Sequence, residues 1–217
     1  MAHWAAIFDW DGVIIDSSRH HERGWELLAA EEGLPLPKDF FRKSFGMKNE
    51  KVIPELLQWT TDPGKIRDYS QRKEAHYRQV AMAEGVELLP GVAAFLAQLE
   101  AAGAPCAVGS STIRVNIESL IRQLGIERFF RAVICGEDVD RGKPDPEVFL
   151  LAARRLGVPP NRCVVFEDAH VGIEAARAGG MRVVALATTH PRETLLDADL
   201  VVANLAGVRL AELQSWF

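Results

Sequence analysis

Apolar residues along this chain follow two rhythms. Short unbroken apolar runs occupy residues 4–8, 105–109, 132–135, 163–166, 182–186 and 200–202. Runs of this length without alternation are the pattern of strands buried on both faces. Between most of them apolar residues recur at helical spacing, over 92–102, 113–124, 146–156 and 172–178. Strands alternating with helices predict a parallel sheet with crossover helices, the doubly wound α/β class. Gly103, Gly125, Gly157 and Gly179 stand where these helices should end, the place for a left-handed closing residue.

One stretch breaks the alternation. From about residue 18 to 84 no strand pattern occurs, and helical spacing covers 20–32, 40–45, 50–59 and 65–82. Pro35, Pro37, Pro63 and Gly64 punctuate it. A helical subdomain inserted after the first strand is expected, dividing the chain into a core of 1–16 plus 86–217 and an insertion of 17–85.

Composition narrows the class. Of 217 residues, 48% are hydrophobic, enough for a substantial core, and the net charge is −5. No basic stripe stands out, which argues against a nucleic-acid partner. The three cysteines, Cys106, Cys135 and Cys163, have no metal-finger spacing and read as free thiols of a reducing compartment. The apolar start breaks at Asp9, unlike a secretory signal, and no run reaches membrane-spanning length. The expectation is a soluble, cytoplasmic protein with no membrane contact, acting as a monomer or weak dimer.

Ligands of open α/β sheets bind beyond the carboxyl ends of the strands. After the first strand come Asp9 and Asp11, and after the second Ser110, Ser111 and Thr112. The loop after the third carries Gly142-Lys143-Pro144-Asp145-Pro146, and the fourth ends in Glu167-Asp168. In extended chain, residues i and i+2 share a face, so Asp9 and Asp11 can address one reacting atom while Trp10 turns away. Asp9 can act as a nucleophile and Asp11 as an acid and base toward a leaving oxygen and water. Asp9 with Asp168 can hold a hard cation such as Mg²⁺. Ser110 can bond a phosphate oxygen and Lys143 can neutralise charge on nucleophile and phosphoryl group. Each element alone is ordinary, and Asp-x-Asp-Gly is a common solvated turn. Their arrival in order at successive strand ends is what points to chemistry.

These residues resemble the motifs of the haloacid dehalogenase superfamily: Phe8-Asp9-Trp10-Asp11-Gly12-Val13, Gly109-Ser110-Ser111, the Lys143 loop, Phe166-Glu167-Asp168, and the following Gly172–Met181 stretch. The insertion resembles the α-helical cap of the β-phosphoglucomutase-like branch. The resemblance implies a Rossmann-like core with helices on both faces, plus that cap. It implies an essential Mg²⁺, Asp9 as nucleophile and metal ligand, and Asp11 as acid/base whose carbonyl also binds metal. It makes Ser110 and Lys143 holders of the phosphoryl group, Asp168 a metal ligand, and Glu167 a ligand or its neighbour. Branches that cleave carbon–halogen or phosphonate bonds lack the second Asp, so Asp11 favours a phosphate ester. Ser111, His21, Asn49 and Lys73 are the substrate-contact candidates.

Two departures matter. Ala169 stands where similar sequences carry Ser. Asn49, in Gly46-Met47-Lys48-Asn49, stands where the mutases carry an Arg that grips a second phosphate, and Asn supplies neither that charge nor a bidentate fork. The expected activity is therefore hydrolysis of a small phosphorylated metabolite, such as a sugar phosphate, with a β-phosphoglucomutase-type reaction as the alternative. A phospho-accepting signalling module uses similar groups but has no need of a large insertion. Residues 65–78 are expected to present a solvated basic face, with Lys73 the exception if it meets substrate. Trp10 is expected near the mouth of the site, His170 on a loop surface, and residues 190–217 as scaffold.

Overall fold

The computed structural model describes residues 4–44 and 47–217. In chain order its main elements are β1 (Ala5–Phe8), α1 (Ser18–Glu32), α2 (Phe40–Ser44), α3 (Asn49–Lys51), α4 (Pro63–Glu84), α5 (Val92–Ala101), β2 (Cys106–Gly109), α6 (Arg114–Gln123), β3 (Phe130–Ile134), α7 (Glu147–Leu156), β4 (Cys163–Glu167), α8 (His170–Ala178), β5 (Arg182–Leu186), β6 (Leu200–Val202) and α9 (Leu210–Gln214). They fall into two compact units. One takes the chain through Asp16 together with Glu87–Phe217, the other Ser17–Val86.

The first unit is a six-stranded parallel sheet in the order β3-β2-β1-β4-β5-β6. β1, β2 and β4 are buried along their whole length, because helices cover both faces of the sheet. On one face Ile7, Ala107, Val165 and Val183 pack with Phe149 and Ala152 of α7 and Ile173 and Ala176 of α8. On the other, Phe8 stacks on Phe166 with ring centroids 4.5 Å apart and meets Phe95 of α5 edge-on at 6.4 Å. In register, Ile7 lies between Ala107 and Val165. The strand order turns around at β1, so the carboxyl ends of β1, β2 and β4 open onto one crevice.

The chain leaves and re-enters this unit at one point. Leu89 N donates to Ile14 O at 3.0 Å and Asp16 N to Glu87 O at 3.4 Å, around an antiparallel bridge of Ile15 with Leu88.

The second unit is helical. Trp25, Leu28, Phe40, Val52, Ile53, Leu57 and Tyr69 form its core. The helix expected over 50–59 is instead the short α3 running into a π-helical turn, Val52–Leu56. Pro54 has no N–H to give a regular turn, and Leu57 N reaches back to Val52 O at 2.9 Å, an i to i−5 bond. Pro63 and Gly64 open α4 rather than precede it: Asp62 accepts from Lys65 N at 2.8 Å and Pro63 takes the first position, where its missing donor costs nothing. The helix expected over 40–45 is described as far as Ser44; Phe45 and Gly46 lie outside the described residues. α8 starts at His170, and its positive-φ closing residue is Gly180 rather than Gly179. The last turn runs one residue further, closed by Met181 N on Ala176 O at 3.0 Å. No described helix is long and apolar enough to cross a membrane.

Candidate active site

The carboxyl ends of the strands carry a dense set of buried polar groups. β1 ends at Phe8, and Asp9 N continues its ladder by donating to Phe166 O at 2.9 Å. That bond fixes the Asp9 backbone beside β4, whose last residue is Glu167. The Lys143 side chain is fully buried and bridges two acids, with Nζ 3.0 Å from Asp9 Oδ1 and 2.6 Å from Glu167 Oε1. Glu167 spends its other oxygen on backbone: Oε2 accepts from Asp168 N and Ala169 N, both at 2.7 Å. Its carboxylate is thus held on both sides.

Two glycines make room for these acids. A Cβ on Gly172 would overlap the Glu167 carboxylate, and one on Gly12 would overlap Asp168 Oδ2. Gly12 also has a φ of 76°, which glycine adopts without strain.

Charge governs the rest. Burial pushes the Asp9 carboxyl up to about 7; Lys143 opposes this, while Glu167 and Asp11 add to it. Burial, reinforced by the charges of Glu167 and Asp9, lifts Asp168 well above the ordinary carboxylate range. Burial also works against the Lys143 ammonium, but Asp9 and Glu167 outweigh it and hold its pKa above the usual lysine value. Several acids around one lysine leave a deficit of positive charge that a buried site does not sustain without a proton or a cation.

The oxygens present suit a cation. Asp9, Glu167 and Asp168 each offer a carboxylate oxygen within 4.8 Å of the others. Asp168 Oδ1 is buried and has no hydrogen-bond partner. An all-carboxylate donor set favours a hard ion such as Mg²⁺ over a soft one, so the residues fit that cofactor.

The second strand end supports Asp11. Thr112 Oγ1 donates to Asp11 Oδ2, while Thr112 N donates to Ser110 Oγ at 3.2 Å. Ser110 is buried and its N–H is held by Ile134 O at 3.0 Å; Ser111 is half-buried. Of the expected site residues, Asp9, Lys143, Glu167 and Asp168 meet in one cluster, with Ser110 and Asp11 linked through Thr112.

His21, Asn49 and Lys73 meet each other in the helical unit. Lys73 Nζ donates to His21 Nδ1 at 2.6 Å and to Glu74 Oε1 at 2.8 Å. Asn49 Nδ2 donates to the same Glu74 oxygen at 2.8 Å and to Ser70 at 3.2 Å. His21 stacks on Tyr77 with centroids 3.9 Å apart. Burial opposes the Glu74 charge, yet Lys73 and His21 overcome it and hold its pKa below normal. The expected solvated face of residues 65–78 is therefore corrected at Lys73, which is only 3% exposed.

Other expectations change too. Trp10 is fully buried and packs in the core rather than lining a mouth. His170 opens α8, exposed, with its ring 4.8 Å from that of His190. Residues 190–217 are not all scaffold, since His190 Nδ1 lies 3.1 Å from Asp168 O. Sequence reasoning gave Thr112, Thr188 and Thr189 no role. Thr188 Oγ1 donates to Gly12 O at 2.6 Å, and Thr189 Oγ1 to Asp168 Oδ2 at 2.6 Å. Both follow β5, so the strand-end rule applied to the fifth strand would have found them.

A six-stranded parallel sheet with helices on both faces and an acid–lysine cluster at its carboxyl ends defines a Rossmann-like α/β core, and comparison with known proteins supplies the family. Residues 5–180 match the haloacid dehalogenase-like hydrolases, and the chain belongs to that family. It is 40% identical over 212 residues to the chloroplastic 5-amino-6-(5-phospho-D-ribitylamino)uracil phosphatase of Arabidopsis thaliana, a match covering 96% of this chain and 56% of that relative. The chain thus spans little more than half of that protein's length. It is 31% identical over 212 residues to the β-phosphoglucomutase of Bacillus subtilis, covering 95% of this chain and 92% of the relative. The crystal structure of β-phosphoglucomutase from Clostridium difficile superposes with a TM-score of 0.87 at 25% identity, covering 100% of this chain and 97% of that one. The fold is that of the β-phosphoglucomutase-like members of this family.

Proposed function

We propose that the protein is a Mg²⁺-dependent phosphatase that hydrolyses a small phosphate monoester, a sugar phosphate or similar metabolite, by way of a phosphorylated Asp9. The observation that carries this reading is the buried Asp9 carboxylate with Lys143 3.0 Å away, beside Glu167 and Asp168. Asp9 attacks phosphorus; the bond from phosphorus to the substrate oxygen breaks, and that oxygen takes a proton from Asp11. Water then attacks the phosphorus of phosphorylated Asp9; Asp11 takes a proton from that water, the bond from phosphorus to the Asp9 oxygen breaks, and inorganic phosphate leaves with the Asp9 carboxylate restored. Thr112 holds the Asp11 carboxyl for both transfers. Lys143 offsets charge on Asp9 and on the phosphoryl oxygens, and Ser110 donates to one of those oxygens. Mg²⁺, held by Asp9, Asp168 and the Asp11 carbonyl, with Glu167 a ligand or its neighbour, supplies positive charge for the transferring group.

The helical unit is assigned the role of cap, choosing the substrate and shielding it from water, with Ser111, His21, Asn49 and Lys73 as candidate contacts. Asn49 favours the phosphatase over the mutase, because its amide is spent on Glu74 and Ser70 and carries no charge for a second phosphate. The phosphatase name of the 40% identical relative supports the same side. The three buried free cysteines suit a reducing, cytoplasm-like compartment.

The test is phosphate release across a panel of phosphorylated metabolites with and without Mg²⁺, with β-glucose 1-phosphate plus a bisphosphate primer run alongside and assayed for glucose 6-phosphate. Metal-dependent release without isomerisation is expected, and Asp9→Asn should lose at least about 10³-fold in turnover. Conversion to glucose 6-phosphate with little free phosphate would put the mutase in its place. Near-full turnover by Asp9→Asn would remove the mechanism.

A further inference from the structure

A fully buried carboxylate oxygen without a hydrogen bond is costly, because burial removes its water without a replacement donor. Asp168 keeps one such oxygen, Oδ1, while its Oδ2 is held tightly. Oδ2 packs against the bare Cα of Gly12 and accepts the Thr189 hydroxyl at 2.6 Å. Of the two Asp168 acceptors within reach of the Thr189 hydroxyl, Oδ2 at 2.6 Å is closer than the backbone O at 3.1 Å, so the O–H is directed at the carboxylate. Behind that hydroxyl lies His190 Nδ1, 3.0 Å from Thr189 Oγ1 and 3.1 Å from Asp168 O. The preceding residue repeats the device on backbone, since Thr188 Oγ1 donates to Gly12 O at 2.6 Å. Two consecutive hydroxyls after β5 thus tie down the loop after β1 and the acid after β4.

We propose that Thr189 is a positioning residue for the divalent cation: its hydroxyl occupies Asp168 Oδ2, fixes the rotation of the carboxylate, and leaves Oδ1 as the oxygen presented to the metal. The proposal rests on the Mg²⁺ reading above and adds to it a residue of a different loop that touches neither ion nor substrate. Outer partners of this kind fix ligand orientation, and their loss weakens metal affinity by about 10–100-fold. Without Thr189 the carboxylate can turn and spend both oxygens on other donors or on water.

The experiment measures Mg²⁺ affinity calorimetrically on the full chain without substrate, together with the melting temperature in EDTA and phosphate release against Mg²⁺ concentration. Thr189→Val, which keeps the shape and removes the hydroxyl, should weaken Mg²⁺ binding about 10–100-fold. Its turnover should recover when Mg²⁺ is saturating, so the defect lies in metal binding rather than in the rate of the chemical step. Thr189→Ser should restore wild-type affinity. Thr194→Val should bind Mg²⁺ as wild type does, because the Thr194 hydroxyl is exposed and meets only Pro191 O. If Thr189→Val does not fold, Thr189→Ala carries the same expectation. Wild-type affinity in the variant lacking the hydroxyl, or equal losses in Thr189→Val and Thr189→Ser, overturns the proposal and leaves the Mg²⁺ reading intact. A wild-type chain that binds no Mg²⁺ overturns both.

Discussion

Gly172→Ala sets two effects of opposite sign against each other. Residue 172 lies inside α8, where alanine is favoured over glycine by about 1 kcal/mol. On propensity alone the substitution stabilises. But the new methyl would sit on the Glu167 carboxylate, which is fully buried and accepts from Lys143 Nζ at 2.6 Å and from Asp168 N and Ala169 N at 2.7 Å. Hydrogen bonds to a charged group contribute about 1.5–3 kcal/mol each. Displacing the carboxylate far enough to break two of them costs about 3–6 kcal/mol, so the net effect is a loss of about 2–5 kcal/mol. In a chain of this size that lowers the melting temperature by roughly 4–20 °C. Thermal unfolding followed by circular dichroism reads it directly. The cause is isolated by repeating the substitution in a Glu167→Ala background, where the collision is gone and Gly172→Ala should stabilise by about 1 kcal/mol. If Gly172→Ala stabilises the otherwise unaltered chain by that amount, the close approach of Glu167 to α8 is refuted.

Three further outcomes follow from the site. The Asp9 carboxyl sits at about 7, above its ordinary 3.8, so the metal-free folded state binds a proton that the unfolded chain has released. The stability this gives is fully present below pH about 4 and is lost as pH rises through about 7. The rise in melting temperature on adding Mg²⁺ should therefore be larger at pH 8 than at pH 5, and a rise independent of pH contradicts the assignment. Ala169 is the residue before α8 and offers no side-chain cap; Ala169→Ser should stabilise by about 0.5–2 kcal/mol in urea unfolding, and no change means that a seryl oxygen cannot reach the first-turn amides. Asn49→Arg should raise affinity for bisphosphorylated over monophosphorylated sugars by at least about tenfold; equal affinities, measured by competition against phosphate release, remove Asn49 as a determinant.

What the sequence made legible follows a physical divide. β1, β2 and β4 could be read because strands buried on both faces need unbroken apolar runs, and Asp9, Lys143, Glu167 and Asp168 because chemistry-bearing types recur at strand ends. The π-helical turn after α3 was hidden because apolar spacing over 50–59 fits either helical pitch, and only the missing N–H of Pro54 decides between them. The burial of Lys73 was hidden because its partner His21 is 52 residues away, and a lysine in a charged helix reads as solvated until that partner is placed. Thr188 and Thr189 carry no period and no charge. Only their place just after β5 marks them, and the sheet order, which brings the end of β5 beside the end of β4, gives that place its meaning.

The paired backbone at Ile14–Asp16 and Glu87–Leu89 gives the insertion a closed base. The ends of Ser17–Val86 emerge as hydrogen-bonded neighbours, so the sheet experiences those residues as it would a tight hairpin turn, whatever their number. The entropy of closing the loop is met once, at this stem, and grows only slowly with the length of chain beyond it. Lineages can therefore enlarge, shorten or rewrite the insertion while the five strand ends that hold the reacting groups stay in register. With the insertion in its proposed role as cap, selectivity and reactivity would in this way be free to evolve at different speeds within one polypeptide.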